Sequence, residues 1–152
     1  MMAVGVAVRT AGGHSAKGAV EGVSAELLLF MKQLARRHGL SSLVAPVRPS
    51  LKELYPLTPM ERYVRWRRTD GLLFDPWLRT HERIGGRLAA IAPKGNVFRG
   101  TVSEWERWTG LALPDSGEYV VRGASHPVSI DRERDEGILT EPNVWMVHTV
   151  HD

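Results

Sequence analysis

Three stretches of this chain carry residues whose types and spacing could do chemistry. Lys17-Gly18-Ala19-Val20-Glu21-Gly22, followed by Val23 and Ser24, is a glycine-broken loop opening onto a helix. A helix start leaves backbone N–H groups unpaired, and such groups hold a phosphate well. Glycine there lets the phosphates come close to the main chain. Arg62, Arg65, Arg67 and Arg68, interleaved with Tyr63 and Trp66, could follow a nucleic-acid backbone. The plainer reading is a solvated cationic face with one aromatic row in the core, and it carries more weight. His148 and His151 are three apart at the C-terminus. A strand would turn them to opposite faces, and no third ligand is evident, so no metal site is expected. There is no Gly-x-Ser-x-Gly and no Walker loop.

The elements that must position these groups follow from pattern. Residues 3–9 read as a buried strand and residues 10–22 as a loop. Ser24 is a helix N-cap, and Leu27, Phe30, Met31, Leu34 and His38 recur at helical spacing. Arg36, Arg37 and His38 suit the negative helix end, and Gly39 is a natural stop. Residues 42–47 read as a strand. Ser50-Leu51-Lys52-Glu53, Thr58-Pro59-Met60-Glu61 and Ser103-Glu104-Trp105-Glu106 are capping-box patterns, each announcing a helix. Asp75-Pro76 opens another, running to about Ile84 and stopped by Gly85-Gly86. Residues 87–92, 96–102, 119–122, 128–131 and 144–150 read as strands. The five tryptophans, at 66, 77, 105, 108 and 145, are expected to pack the C-terminal part onto the body. An exposed subset would mark a partner surface or an apolar acyl pocket.

At 152 residues the chain is long enough for one domain with its own core, and no linker divides it. No apolar run approaches the length of a membrane helix, and the short apolar start has no basic residue ahead of it, so it is not read as a signal peptide. With zero cysteines there is no disulfide, thiolate ligand or thiol nucleophile. The cytoplasm is the default compartment. A net charge of +3 fits an anionic cofactor or a nucleic acid without choosing between them.

Residues 4–57 resemble the second half of the GCN5-related N-acetyltransferase (GNAT) fold. That family runs strand, pyrophosphate loop (Arg/Gln-x-x-Gly-x-Gly/Ala), helix, strand, and a helix ending near a tyrosine. Lys17 stands for the Arg or Gln, Val20 for the middle glycine, and Gly22 keeps the last one. Arg48-Pro49-Ser50-Leu51-Lys52-Glu53-Leu54-Tyr55 is similar to the family's Asn-x-x-Ala-x-x-Leu-Tyr pattern, with Leu54-Tyr55 matching. Ala45-Pro46-Val47-Arg48-Pro49, Phe74-Asp75-Pro76-Trp77-Leu78-Arg79, Gly100-Thr101-Val102-Ser103-Glu104-Trp105-Glu106 and Glu141-Pro142-Asn143-Val144-Trp145 resemble a bacterial GNAT-like group with a long C-terminal extension. The chain starts at about the family's fourth strand.

The resemblance implies an α/β, more closely an α+β, protein with a mixed sheet. Residues 1–57 would form the cofactor half and residues 58–152 a β-rich extension, together one domain. It implies acyl transfer from acetyl-CoA or another acyl-CoA to a small-molecule or peptide amine, without a metal. Lys17, Gly18, Ala19, Gly22, Val23 and Ser24 would hold the pyrophosphate. Tyr55 would protonate the leaving thiolate. The base that deprotonates the amine stays open among Glu53, Glu61, His81 and His14, and the arginine cluster could instead meet the cofactor's 3′-phosphate. No membrane or nucleic-acid partner is expected, and self-association stays open. The alternative is a non-catalytic binding or assembly module on the same scaffold.

Overall fold

The computed structural model describes residues 17–150, so the strand read at residues 3–9, His14 and His151 lie outside it. Helix α1 spans Lys17–Arg37 and therefore includes the six residues read as a phosphate loop. Extending a helix costs far less than nucleating one. Lys17, Ala19 and Glu21 are good helix formers next to a long helical run, and this outweighs the glycines at 18 and 22. Gly39 ends the helix in the left-handed region at φ 67°, and the Leu40 amide reaches back to the Ala35 carbonyl at 2.9 Å, the Schellman closure. The inward stripe is rotated from the expected one. Leu28 and Ala35 are buried, whereas Phe30 and Leu34 are exposed.

Strand β1 (Ser42–Val47) follows as predicted. The Ser50 capping-box pattern does not make an α-helix. It yields one 3-10 turn, Lys52–Leu54, with no side-chain cap. Pro49 and Pro56 bracket it, and the Ser50 hydroxyl and the Leu51 amide turn to Asp75 instead, at 3.4 and 2.9 Å. The Thr58 pattern likewise gives a single turn, α2 (Met60–Tyr63), capped by Pro59 without a side-chain bond. Helix α3 (Pro76–Arg83) starts as predicted: the Asp75 carboxylate accepts from the amides of Trp77 and Leu78.

Strand β2 (Gly86–Gly100) joins two predicted strands, and its register slips between Ala92 and Asn96, where they are separated, as well as between Leu88 and Ala90, inside the first of them. Helix α4 (Val102–Thr109) is capped by Thr101 with Glu104 returning the bond, two residues ahead of the predicted box. Strands β3 (Gly117–Tyr119), β4 (Val128–Asp131) and β5 (Glu136–Thr149) complete the chain.

All described strand pairings are antiparallel, so the expected mixed sheet is, among the described residues, an antiparallel sheet of an α+β fold. β5 is its spine. One edge pairs with β2 from Gly137 to His148. The other pairs with β4 through Glu136–Leu139 and with β1 through Val144–Thr149. Between those partners the second edge of β5 has a gap. The buried positions of β5 also change parity there: Gly137, Leu139 and Glu141 are buried, then Val144, Met146 and His148. Successive strand residues face opposite sides, so the two halves of β5 serve two cores. One gathers Leu139, Val128, Ile130 and Trp105. The other gathers Val144, Met146, Val47, Met60, Tyr63 and Leu78, flanked by Tyr55, Trp66 and Phe74.

Two buried polar features organise the second core. Asp75 takes the Tyr63 hydroxyl at 2.8 Å as well as the two helix amides and the Leu51 amide. One carboxylate thus ties the 3-10 turn, α2 and α3 together. Asp75→Ala is expected to lower stability by about 3 kcal/mol, because it leaves several buried donors unsatisfied. Urea denaturation measures this, and a loss equal to that of a surface substitution would refute it.

His81 and His148 are both buried, and their Nδ1 and Nε2 atoms lie 2.9 Å apart. Trp77 packs edge-on against His81 with ring centroids 4.7 Å apart. Burial, then the neighbouring His148, brings His81 down to about 4 from an ordinary 6.5. His148 is lowered by burial and by Lys32. The pair is held neutral, with one ring donating to the other. A depressed folded-state value means that acid favours the unfolded chain. The contribution is intact above pH 6.5 and shrinks as pH falls toward 4. The urea midpoint should therefore drop over this window, and a double His81→Leu, His148→Leu variant should show a shallower drop. Equal slopes for the two proteins would refute the assignment.

Candidate functional site

The gap on the second edge of β5 is filled by charge. Glu141 stands in it, its side chain 5% exposed. Arg48, just past the end of β1, meets it side-on: Nε donates to Oε2 and Nη2 to Oε1, each at 3.0 Å. Nη2 also donates to the Gly123 carbonyl at 2.8 Å. The Ser125 amide, three residues before β4, donates to Glu141 Oε1 at 2.7 Å. Burial pushes the Glu141 carboxyl up, but Arg48 and the Ser125 amide pull it further down, so it is held below the usual carboxylate range. The ion pair thus closes a break in the ladder that main-chain bonds leave open.

Lys52 lies beside this pair and is 0% exposed. Its Nζ donates to the Ser125 carbonyl at 2.7 Å and the Tyr55 carbonyl at 2.9 Å. Burial lowers its ammonium to about 8, with Glu141 acting in the opposite direction. The lysine connects the gap to the 3-10 turn that carries Tyr55. His126, half-buried next to Ser125, is lowered by burial and by Lys52, so it is neutral near pH 7. Its Nδ1 lies 3.2 Å from the Ser125 hydroxyl.

Tyr55 sits at the end of this chain of contacts. Its ring packs edge-on against Trp66 with centroids 4.9 Å apart and against Phe74 at 5.9 Å, and lies tilted against Tyr63 at 5.9 Å. It is half-buried. Tyr63 differs: its hydroxyl is committed to Asp75, and burial with that bond raises its phenol well above the usual value. Of the two tyrosines, Tyr55 is the one whose hydroxyl the fold has not assigned to a partner among the described residues.

The other sequence candidates separate clearly. His81 belongs to the core pair and cannot meet a solvent-borne amine. Glu53 and Glu61 are exposed. Glu61 lines a cavity of about 570 Å³ between α2 and β2, with Arg65 and Arg87. The arginine cluster is the solvated face of the plainer reading. Arg62, Arg65, Arg67 and Arg68 are exposed, Tyr63 is buried, and Trp66 faces the aromatic group. No aromatic ring is left between the arginines for base stacking. Lys17, Gly18, Ala19, Gly22, Val23 and Ser24 fall in the first turns of α1. Trp105 is buried, whereas Trp108 is 54% exposed. Among the described residues no group of three His, Cys, Asp or Glu could hold a metal, and no helix is long and apolar enough to cross a membrane.

Sequence reasoning missed Lys52, Glu141 and His126 as site residues. A signal existed for Glu141: it occupies the inward parity of β5 directly after Gly137 and Leu139. A charge at a core-facing strand position implies a buried partner.

No family model matches the chain. It is 34% identical, over 99% of its length, to an arginine N-acetyltransferase of Aspergillus versicolor. It spans about half of that relative, 56% of its length. Among solved structures it is similar to the loading GNATL domain of CurA from Lyngbya majuscula, at 20% identity and a TM-score of 0.49, over 90% of this chain and 48% of that one. About a third of its residues are thus shared, along nearly its whole length, with part of an N-acetyltransferase.

Proposed function

We propose that the chain acts in acyl-CoA-dependent N-acylation, passing an acetyl or other acyl group from CoA to the nitrogen of a small-molecule or peptide amine. The observation that carries this reading is the identity along nearly the full chain with an arginine N-acetyltransferase. In the step proposed, the acceptor nitrogen attacks the thioester carbon and the C–S bond breaks. The departing thiolate takes a proton from Tyr55, and the new amide nitrogen loses one to a base or to water. The unassigned Tyr55 hydroxyl supports the donor role. For the pyrophosphate, Lys17, Gly18 and Ala19 supply first-turn amides, which have no partner four residues earlier in α1. Gly22, Val23 and Ser24 lie one turn behind, with their own amides inside the helix. Arginine is the first acceptor to try, from the relative's name. The cytoplasm, where acyl-CoA is made, completes the reading, as does the bacterial setting that the resemblance implied, although this relative is fungal.

Thiol release from acetyl-CoA in the presence of arginine and a panel of amines tests the proposal. Turnover is expected with at least one acceptor. Tyr55→Phe is expected to lower kcat by about a hundredfold while leaving acetyl-CoA affinity unchanged. If calorimetry shows no heat with acetyl-CoA and no amine releases thiol, the proposal fails. An unchanged kcat in Tyr55→Phe removes that residue alone.

A further inference from the structure

A second cavity, of about 520 Å³, is lined by Arg48 and Glu141 of the gap and by Phe98, Trp108 and Arg122, and Tyr55 is not among its lining residues. We infer that this cavity is a binding site for a small apolar monocarboxylate, which rests a flat hydrophobic body on Trp108 and Phe98 and sets its carboxylate between Arg48 and Arg122. The volume falls in the range of small-molecule sites rather than of protein interfaces.

The apolar wall is built, not incidental. Helix α4 places Trp105 and Trp108 three residues apart, on one face. Trp105 is buried and anchored, its indole N–H donating to the Gly137 carbonyl at 2.8 Å. Trp108 packs edge-on against it at 5.2 Å. Gly100 supplies the room: a Cβ there would come within 2.7 Å of the Trp108 ring. Trp108 nevertheless stays 54% exposed and Phe98 48%. Two large uncovered rings lining one cavity, one of them held by Trp105, are an apolar surface for a ligand.

The cationic end is also preorganised. Arg48 spends Nε and Nη2 on Glu141 and Gly123, which fixes its plane and leaves the two protons of Nη1 unspent among the described residues. Its side chain is 37% exposed and lines the cavity wall. Arg122 lines the same cavity, is exposed, and makes no ion pair with another described residue. Among the lining residues Glu141 compensates one of these two charges, which leaves one positive charge for a ligand. Glu53 also acts on Arg48 but does not line the cavity. A singly charged carboxylate on an apolar body meets both ends, since guanidinium offers paired donors to it.

Calorimetric titration of the whole chain with hydrocinnamate, in the absence of CoA, tests this independently of any acyl transfer. Hydrocinnamyl alcohol is the uncharged control. Saturable binding of the acid is expected, about tenfold tighter than that of the alcohol. Arg122→Gln should erase that preference, and Trp108→Ala should weaken both ligands about tenfold or more. Matching far-UV circular dichroism shows that the variants are folded. Arg122 is exposed, so its replacement keeps the test meaningful should Trp108→Ala unfold. The inference is overturned if the acid shows no saturable heat, if acid and alcohol bind alike, or if Arg122→Gln binds the acid as the unaltered chain does.

Discussion

A carboxylate inside a protein must be met by donors or it will not stay ionised. Glu141 is the residue on which this constraint bears hardest. It sits where β5 changes partners from β4 to β1 and where its inward face changes parity. Among the described residues no strand pairs with that point on the second edge. Arg48 and the Ser125 amide cross it instead, and Lys52 fastens Ser125 to the turn bearing Tyr55. The two cores, the break in the sheet and the candidate chemistry are coupled through one side chain.

The second buried carboxylate, Asp75, does the same work on the other flank. Its four close donors come from the 3-10 turn, α2 and α3. Between Asp75 and Glu141 the short segment 48–63 is held at both ends. This explains how a stretch with only a 3-10 turn and a four-residue helix can hold Tyr55 in a fixed aromatic setting. Polar contacts here replace the regular structure that a longer helix would have given.

The legibility of the sequence follows the same division. β1, β4, Gly39 as a stop and the Asp75 cap were readable because each depends on a few adjacent residues. The Ser50 and Thr58 boxes misled, because the Ser50 hydroxyl and the Leu51 amide are claimed by Asp75, twenty-odd positions away, and the prolines limit each turn. The start of α1 is hidden because Gly18 and Gly22 look like breakers, whereas extending a helix already formed outweighs them. β5 was read at its second half only, since Pro142 and the parity change hide the period of two. The resemblance implies a helix ending at Tyr55, and the chain has a single 3-10 turn there; the Arg48–Glu141–Lys52 assembly joins residues nearly a hundred positions apart. Nothing local announces it.

The outer side of β2 has no strand partner among the described residues, along fifteen residues. Left flat, such a border would template stacking of chain upon chain. Here the register slips twice, Pro93 withholds an amide, and Arg87 and Lys94 put positive charge along it. The irregularities that spoiled the strand as a sequence pattern therefore act as a guard against fibril-like association.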